Sequence, residues 1–226
     1  MKSRNKCLIV TGGEYFPLFD DIPAFAAATD GADEYVIACD KGYENAELLG
    51  VRPDLIIGDF DSSKMPEDTD IPVKAYPVRK DDTDTMLAVK HAVSRGFGWI
   101  KIACALGGRF DHAYANIQAG IYVASCGGVA EICGKDTRLI IFGGASRDIM
   151  ENGVATLHLP AKEGYSLSVF SMSDVARGVG IKNASYEADN IELFSKDPRG
   201  TSNAFTDRDA VISVREGILM TVMSKI

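Results

Sequence analysis

Short, uninterrupted apolar runs that end abruptly in glycine or aspartate constrain this chain more than any other feature. Leu55-Ile56-Ile57 is the sharpest case, with Pro53-Asp54 ahead of it and Gly58-Asp59-Phe60-Asp61-Ser62 behind. Cys7–Val10, ahead of Thr11-Gly12-Gly13, Tyr35–Ala38, ahead of Cys39-Asp40, and Trp99–Leu106, broken only by Lys101, are close to the same pattern. A strand apolar at every position is buried on both faces, as in a parallel sheet covered by helices. Helical segments are predicted between the runs: Leu18–Thr29 with Pro23 near a start or kink, Glu44–Leu49 stopped by Gly50, Thr85–Arg95 stopped by Gly96, and Ala113 to about Ser125. Val73–Val78 reads as extended between Pro72 and Pro77. The predicted architecture of this half is α/β, a doubly wound and mostly parallel sheet of the Rossmann-like nucleotide-binding kind.

The pattern changes after Gly127. Val129–Cys133, Leu139–Phe142, Ala155–Leu159, Ser166–Phe170, Val179–Ile181, Ser185–Leu193, Ala210–Val214 and Ile218–Val222 are short strand-like runs separated by turn residues. They predict a smaller all-β domain, a sandwich or small barrel. With a boundary at Gly143-Gly144, the chain divides into an α/β domain over 1–143 and a β-sandwich domain over 144–226.

In an open α/β sheet, ligands bind beyond the carboxyl ends of the strands. That rim is where this sequence gathers its unusual polar residues. Asp40 follows the second run, and Asp59 and Asp61 follow the third. Lys80-Asp81-Asp82-Thr83-Asp84 opens a helix, and Gly107-Gly108-Arg109-Phe110-Asp111-His112 opens another. Acidic residues in a first helical turn cap free N–H groups, but three aspartates in four positions exceed that need and repel one another unless a cation neutralises them. Carboxylates suit Mg²⁺ shared with substrate phosphates. Backbone glycines and the planar fork of Arg109 suit phosphate oxygens. Thr11-Gly12-Gly13 is a tight turn where backbone approaches a ligand, but it is neither a dinucleotide fingerprint nor a P-loop. His112 reads as a helix-terminal or core-edge imidazole, and His91 and His158 as surface or structural.

The net charge of −8 over 226 residues argues against a nucleic-acid or anionic-membrane partner, which would want a basic face. It also means that a polyphosphate can be held only with metal ions between like charges. Five cysteines without a C-x-x-C pair read as buried free thiols in a reducing cytosol. The apolar run behind the basic start is too short for a signal peptide, and no stretch approaches a membrane span. The expected location is cytoplasmic.

The motifs together resemble the thiamine pyrophosphokinase family. They are G-D-F-D-S at Gly58–Ser62, K-D-D-T-D at Lys80–Asp84, G-G-R-F-D-H at Gly107–His112 with Asn116 beyond, and T-S-N-A-F at Thr201–Phe205. The resemblance covers essentially the whole chain and implies transfer of pyrophosphate from ATP to the hydroxyl of thiamine, releasing AMP. It implies a homodimer with thiamine bound between subunits, and no nucleic-acid or membrane partner. Carried onto this sequence, it implies Mg²⁺–triphosphate ligation by Asp59, Asp61, Asp81 and Asp84, with Arg109 also catalytic. Asp81 and Asp84 are also the candidate acceptors of the hydroxyl proton, and the sequence does not separate ligand from base. ATP contacts fall on Asp40, Gly42, Lys80, Thr83, Gly108, Arg109, Asp111, His112 and Asn116, and thiamine contacts on Ser202 and Asn203. Two departures stand out. After Asp40 the family's small residues give way to Lys41 and Tyr43, although Gly42 and Asn45 keep the pattern. The only tryptophan, Trp99, lies in the first half, which leaves Phe194, Phe205 or another group for any stacking on the thiamine ring. The alternatives are a pyrophosphokinase for another alcohol, such as a pterin, and a non-catalytic nucleotide sensor.

Overall fold

A computed structural model describes residues 6–16, 34–60 and 69–226. The helix expected over 18–29 and the roles given to Asp61 and Ser62 lie outside the described residues.

The first half forms six strands: β1 (Lys6–Val10), β2 (Tyr35–Cys39), β3 (Leu55–Gly58), β4 (Val73–Ala75), β5 (Trp99–Ala103) and β6 (Val129–Cys133). They pair in parallel in the order β6-β5-β1-β2-β3-β4. Both faces of this sheet are covered, which is why its strands lack polar alternation. Cys7, Ile9, Ile37, Ile57, Ile100 and Ile102 point to one face. There they meet α2 (Asp84–Ser94) through Ala88, Val89 and Ala92, and α3 (Phe110–Ser125) through Ala119 and Val123. Leu8, Val10 and Val36 point to the other face, against Ala46 of α1 (Gly42–Leu48).

The sheet does not stop at the boundary expected near Gly143. β7 (Thr137–Gly143) pairs antiparallel with β6, then with β15 (Ile218–Lys225). β10 (Tyr165–Ser171) and β13 (Asn203–Ala204) extend it further, giving ten strands in the order β13-β10-β15-β7-β6-β5-β1-β2-β3-β4. The fold is therefore mixed α/β, with a large, mostly parallel sheet and a second antiparallel β region. That region is a five-stranded sheet in the order β12-β11-β14-β9-β8. Its strands are β8 (Met150–Glu151), β9 (Val154–Leu159), β11 (Val175–Lys182), β12 (Ala188–Phe194) and β14 (Ala210–Val214). It packs on the antiparallel end of the long sheet through Ile140, Phe142, Leu167, Val169, Leu219 and Met223 on one side and Leu157, Leu159, Val179, Ile212 and Val214 on the other. β7 sits where the two cores meet: Leu139 and Ile141 face α3, and Ile140 and Phe142 face the five-stranded sheet. The layering is that of a sandwich, but one of its layers is the continuation of the parallel sheet.

Two expected elements are shorter than their apolar runs. The fifth strand ends at Ala103 because Cys104 turns to φ +56°, and the fourth ends at Ala75, before Pro77. All five cysteines are free, as expected, but Cys126 is exposed rather than buried; it caps the C-terminus of α3, where the chain turns outward. Among the described residues no helix is long and apolar enough to cross a membrane.

Candidate active site

Chain order reverses between β1 and β5: the strands run outward from β1 to β4, then return on the other side of β1. Such a switch point opens a crevice at the strands' carboxyl ends. Here it is a cleft of about 550 Å³ lined from Thr11–Glu14, Cys39–Lys41, Asp59, Lys80, Asp82–Thr85, Cys104–Ala105, Gly107–Arg109, His112 and Asn116.

The cleft floor is largely backbone, fixed by buried side chains. The Thr11 hydroxyl donates to the Cys104 carbonyl at 2.6 Å and ties the end of β1 to the end of β5. Asn45, on α1, donates its amide to the carbonyls of Thr11 (2.8 Å) and Gly13 (3.0 Å). A Cβ on Gly13 would lie 2.2 Å from the Cys104 oxygen, so the turn requires glycine there. Asn116 performs the corresponding task on the other wall, donating to the Ala105 carbonyl at 2.8 Å from within α3. Three non-glycine residues just past the strand ends, Asp40, Phe60 and Cys104, hold positive φ of 50–56°. Strain of this kind persists only where surrounding structure imposes it, and it collects at functional sites.

The charge of the cleft centres on Lys80. Its ammonium is hydrogen-bonded to Asp59 and lies 3.1 Å from Asp84 Oδ1. All three side chains are largely buried, with relative exposures of 13%, 10% and 21% respectively. Burial pulls the Lys80 pKa down, and its contacts with Asp59 and Asp84 outweigh that and hold it above the ordinary lysine value. Burial pushes the Asp84 carboxyl up, against the lowering influence of Lys80. Asp84 Oδ1 is buried and makes no well-aligned hydrogen bond, despite the nearby ammonium.

Other expected site residues divide more sharply. Thr83 lines the cleft and also caps α2, its hydroxyl accepting from the Met86 N–H at 3.1 Å. Asp82 lines the cleft and pairs with Lys90 at 2.7 Å, whereas Asp81 is exposed and outside the lining. Gly42 is buried and also outside the lining. A Cβ there would lie 2.0 Å from the Val10 oxygen, so this glycine lets α1 approach β1, and Lys41 beside it faces the cleft. Arg109, His112 and Gly108 line the opposite wall. Arg109 is held by Asp111 through contacts of 3.1 and 2.5 Å; this pair is exposed, and the guanidinium keeps the Asp111 carboxyl below its ordinary range. Among the described residues, no three His, Cys, Asp or Glu side chains converge as a metal-holding group. The gathering expected of Asp59, Asp81 and Asp84 is thus reduced to Asp59 and Asp84 around Lys80, because Asp81 turns outward.

Ser202 and Asn203 are not brought to this cleft. They lie at β13, on the far edge of the sheet, five strand spacings from β5. At about 4.8 Å per spacing that is roughly 24 Å. Asn203 is buried and pins the turn before β12: its amide donates to the Tyr186 carbonyl at 2.8 Å, and its oxygen accepts from the N–H groups of Tyr186 and Ala204. Ser202 stands at φ +60°, with its N–H on Ser168 Oγ, and the Tyr186 ring beside this turn is exposed. Sequence reasoning noted Lys41 and Asn45 in the loop after Asp40 but assigned neither a task in the cleft, and it missed Glu14. Gly12-Gly13 after the first strand was the visible signal for that part of the wall.

Fold and cleft together define an α/β enzyme whose cleft suits a polyanion and a cation, joined to an antiparallel β region. Residues 29–126 match the family description "Thiamin pyrophosphokinase, catalytic domain", and residues 155–219 match "Thiamin pyrophosphokinase, vitamin B1 binding domain". The chain belongs to the thiamine pyrophosphokinase family, and with it to the thiamine diphosphokinase class of transferases. Among solved structures it is similar to thiamine pyrophosphokinase from Bacillus subtilis (23% identity, 97% of this chain and 99% of that one, TM-score 0.76). It is also similar to the enzyme from Geobacillus thermodenitrificans (24%, 98% and 98%, 0.73) and to yeast thiamin pyrophosphokinase (14%, 99% and 87%, 0.66). No curated protein matches.

Proposed function

We propose that this chain binds ATP in the cleft at the β1/β5 switch point and transfers its terminal pyrophosphoryl group to the hydroxyl of thiamine. The thiamine oxygen forms a bond to the β-phosphorus as its proton passes to Asp84, which lines the cleft where Asp81 does not, the bond from that phosphorus to the α–β bridging oxygen breaks, and AMP leaves. The observation that carries this reading is Lys80 held between Asp59 and Asp84 on a floor of backbone. One charged cluster there suits a triphosphate and its counterion, and two glycine turns leave room for the phosphates to approach. In this reading the parallel half is a doubly wound, Rossmann-like nucleotide domain over 1–143. Residues 144–226 are a β-sandwich domain for thiamine and dimerisation.

The donor set fits Mg²⁺, which takes one or two carboxylates and fills its remaining positions with water and phosphate. Asp59 and Asp84 would hold it, with Asp61 completing the set; bound there, it would neutralise phosphate charge. The chain's own part is positioning. Lys80 and Arg109 bind phosphate oxygens, Arg109 exchanging Asp111 for the nucleotide. Asn45 and Asn116 fix the two walls, and Gly108 gives the triphosphate access to the start of α3. Most rate enhancement in such transfers comes from alignment and charge neutralisation.

The distance between the cleft and Ser202–Asn203 supports a homodimer in which one subunit's cleft faces the β13 edge of the other. Thiamine would bridge the two, with the exposed Tyr186 ring available to stack against it. A cytoplasmic location agrees with this substrate pair. The test is AMP formation from Mg–ATP with and without thiamine. Thiamine-dependent AMP is the expected result, and AMP formed equally without it, or with a pterin alcohol instead, rejects the assignment.

A further inference from the structure

We propose that Lys80 competes with the divalent cation for Asp59 and Asp84, so that metal enters this cleft only together with nucleotide phosphates. The inference rests on the reading above and adds an order of assembly to it.

With its ammonium on Asp59 and 3.1 Å from Asp84, Lys80 stands where a cation bridging the two carboxylates would stand. The three side chains are mostly shielded from water, so the ammonium strongly weakens the field that a bare metal ion meets. Mg²⁺ gives up its water reluctantly. A hydrated ion arriving alone must therefore displace a buried lysine and leave that charge without a partner. A metal–nucleotide complex faces no such loss, because its phosphates offer the ammonium a new anion at the moment the carboxylates turn to the metal. The buried Asp84 oxygen without a well-aligned hydrogen bond is consistent with this exchange: Lys80 satisfies its charge but not its geometry. Thr83 fixes the start of α2, so Asp84 stays in place while the flexible lysine moves.

The test is Mn²⁺ binding, followed by electron paramagnetic resonance, to the full chain and to Lys80→Met, which keeps the length and apolar stem but removes the charge. Lys80→Gln serves as a second variant should Lys80→Met fold poorly. The variant is expected to bind Mn²⁺ alone about ten-fold or more tightly than the unaltered protein. Adding Asp59→Asn to Lys80→Met should abolish that gain. Equal Mn²⁺ affinity with and without Lys80, or a gain that survives Asp59→Asn, overturns the proposal. ATP should raise the Mn²⁺ affinity of the unaltered protein more than that of the variant. Should ATP raise neither, the nucleotide reading of the cleft fails, and the comparison in Mn²⁺ alone still decides the role of Lys80.

Discussion

Asn45 offers the most direct test of how the cleft is built. It lies in α1, is 5% exposed, and its amide group donates to the carbonyls of both Thr11 and Gly13. Asn45→Ala removes both donors. The Thr11 carbonyl belongs to a buried residue and is left without this partner, whereas Gly13 is exposed and water can replace the lost bond. One unsatisfied buried acceptor plus one exchanged bond comes to about 2–3 kcal/mol. That is a large share of a typical folding stability of about 5–15 kcal/mol, yet it leaves the protein folded at 25 °C. Asn45→Asp keeps the shape but aims a carboxylate at two carbonyl oxygens, so at neutral pH it should be less stable than Asn45→Ala. Mild acid should restore part of the difference, because a protonated carboxyl donates one hydrogen bond. Both variants should raise the KM for ATP about ten-fold while changing kcat less, because Asn45 shapes the floor and lies away from the transferred group. Urea unfolding at several pH values and ATP-dependent kinetics read these effects. Asn45→Asp matching the unaltered protein in stability at pH 7 would refute the claim that a single amide holds the glycine turn.

Three further outcomes are expected. Arg138→Met strips Glu131, fully buried, of its 2.7 Å partner and leaves it the weak Cys133 thiol donor at 3.6 Å and Lys101 at 3.9 Å, so it should cost about 3 kcal/mol in urea unfolding, with Glu131→Gln in the same chain recovering part of the loss. The His91 imidazole is held below its ordinary value by burial, then by Lys74 and Arg95. The unfolded chain therefore takes up the proton first, and stability should be complete above pH about 6.5 and fall as pH drops below it, a slope that His91→Gln should flatten in unfolding measured from pH 5 to 8. In a dimer with shared sites, Asp84→Asn and Asn203→Ala proteins, each poorly active, should regain up to about a quarter of full activity when unfolded and refolded together, because half of the randomly assorted dimers carry one intact site; no regain would place both residues in one subunit's site.

The strands were legible because burial on both faces leaves an unbroken apolar run, and Ile9, Ile37, Ile57 and Ile102 all meet the same helical face. The acidic and basic residues at the rim were legible because glycine and aspartate directly after such a run mark a strand end. What the sequence hid is non-local. Leu139–Phe142 and Ile218–Val222 each read as a strand, but nothing in either shows that they pair with each other and so extend the first sheet into the second half. Nor does K-D-D-T-D show which aspartates Lys80 will reach: a helical start turns Asp81 outward and Asp84 inward, and only the packed side chains reveal the lysine between Asp84 and Asp59. Positive φ at Asp40, Phe60 and Cys104 was equally invisible, since none is glycine. The lysine between two aspartates and these three strained residues gather at the cleft, as expected where local preference yields to function, whereas the β7–β15 pairing lies away from it.

The continuous sheet also bears on how the two substrates meet. With thiamine at Ser202–Asn203 and nucleotide in the cleft, as proposed above, a monomer would have to bring the two together across roughly 24 Å, the reach of five strand spacings. Hinged two-domain enzymes close such gaps at a linker. Here every step from β13 to β5 is a hydrogen-bonded strand pair. β7, the strand at the expected linker, is buried between two apolar cores and tied to both neighbours along nearly its whole length. Bending there would break ladder bonds and open both cores at once. A second copy bringing its own β13 edge to the cleft needs neither. The rigidity that separates the cleft from Ser202–Asn203 within one chain is thus the physical argument for the proposed catalytic unit of two chains.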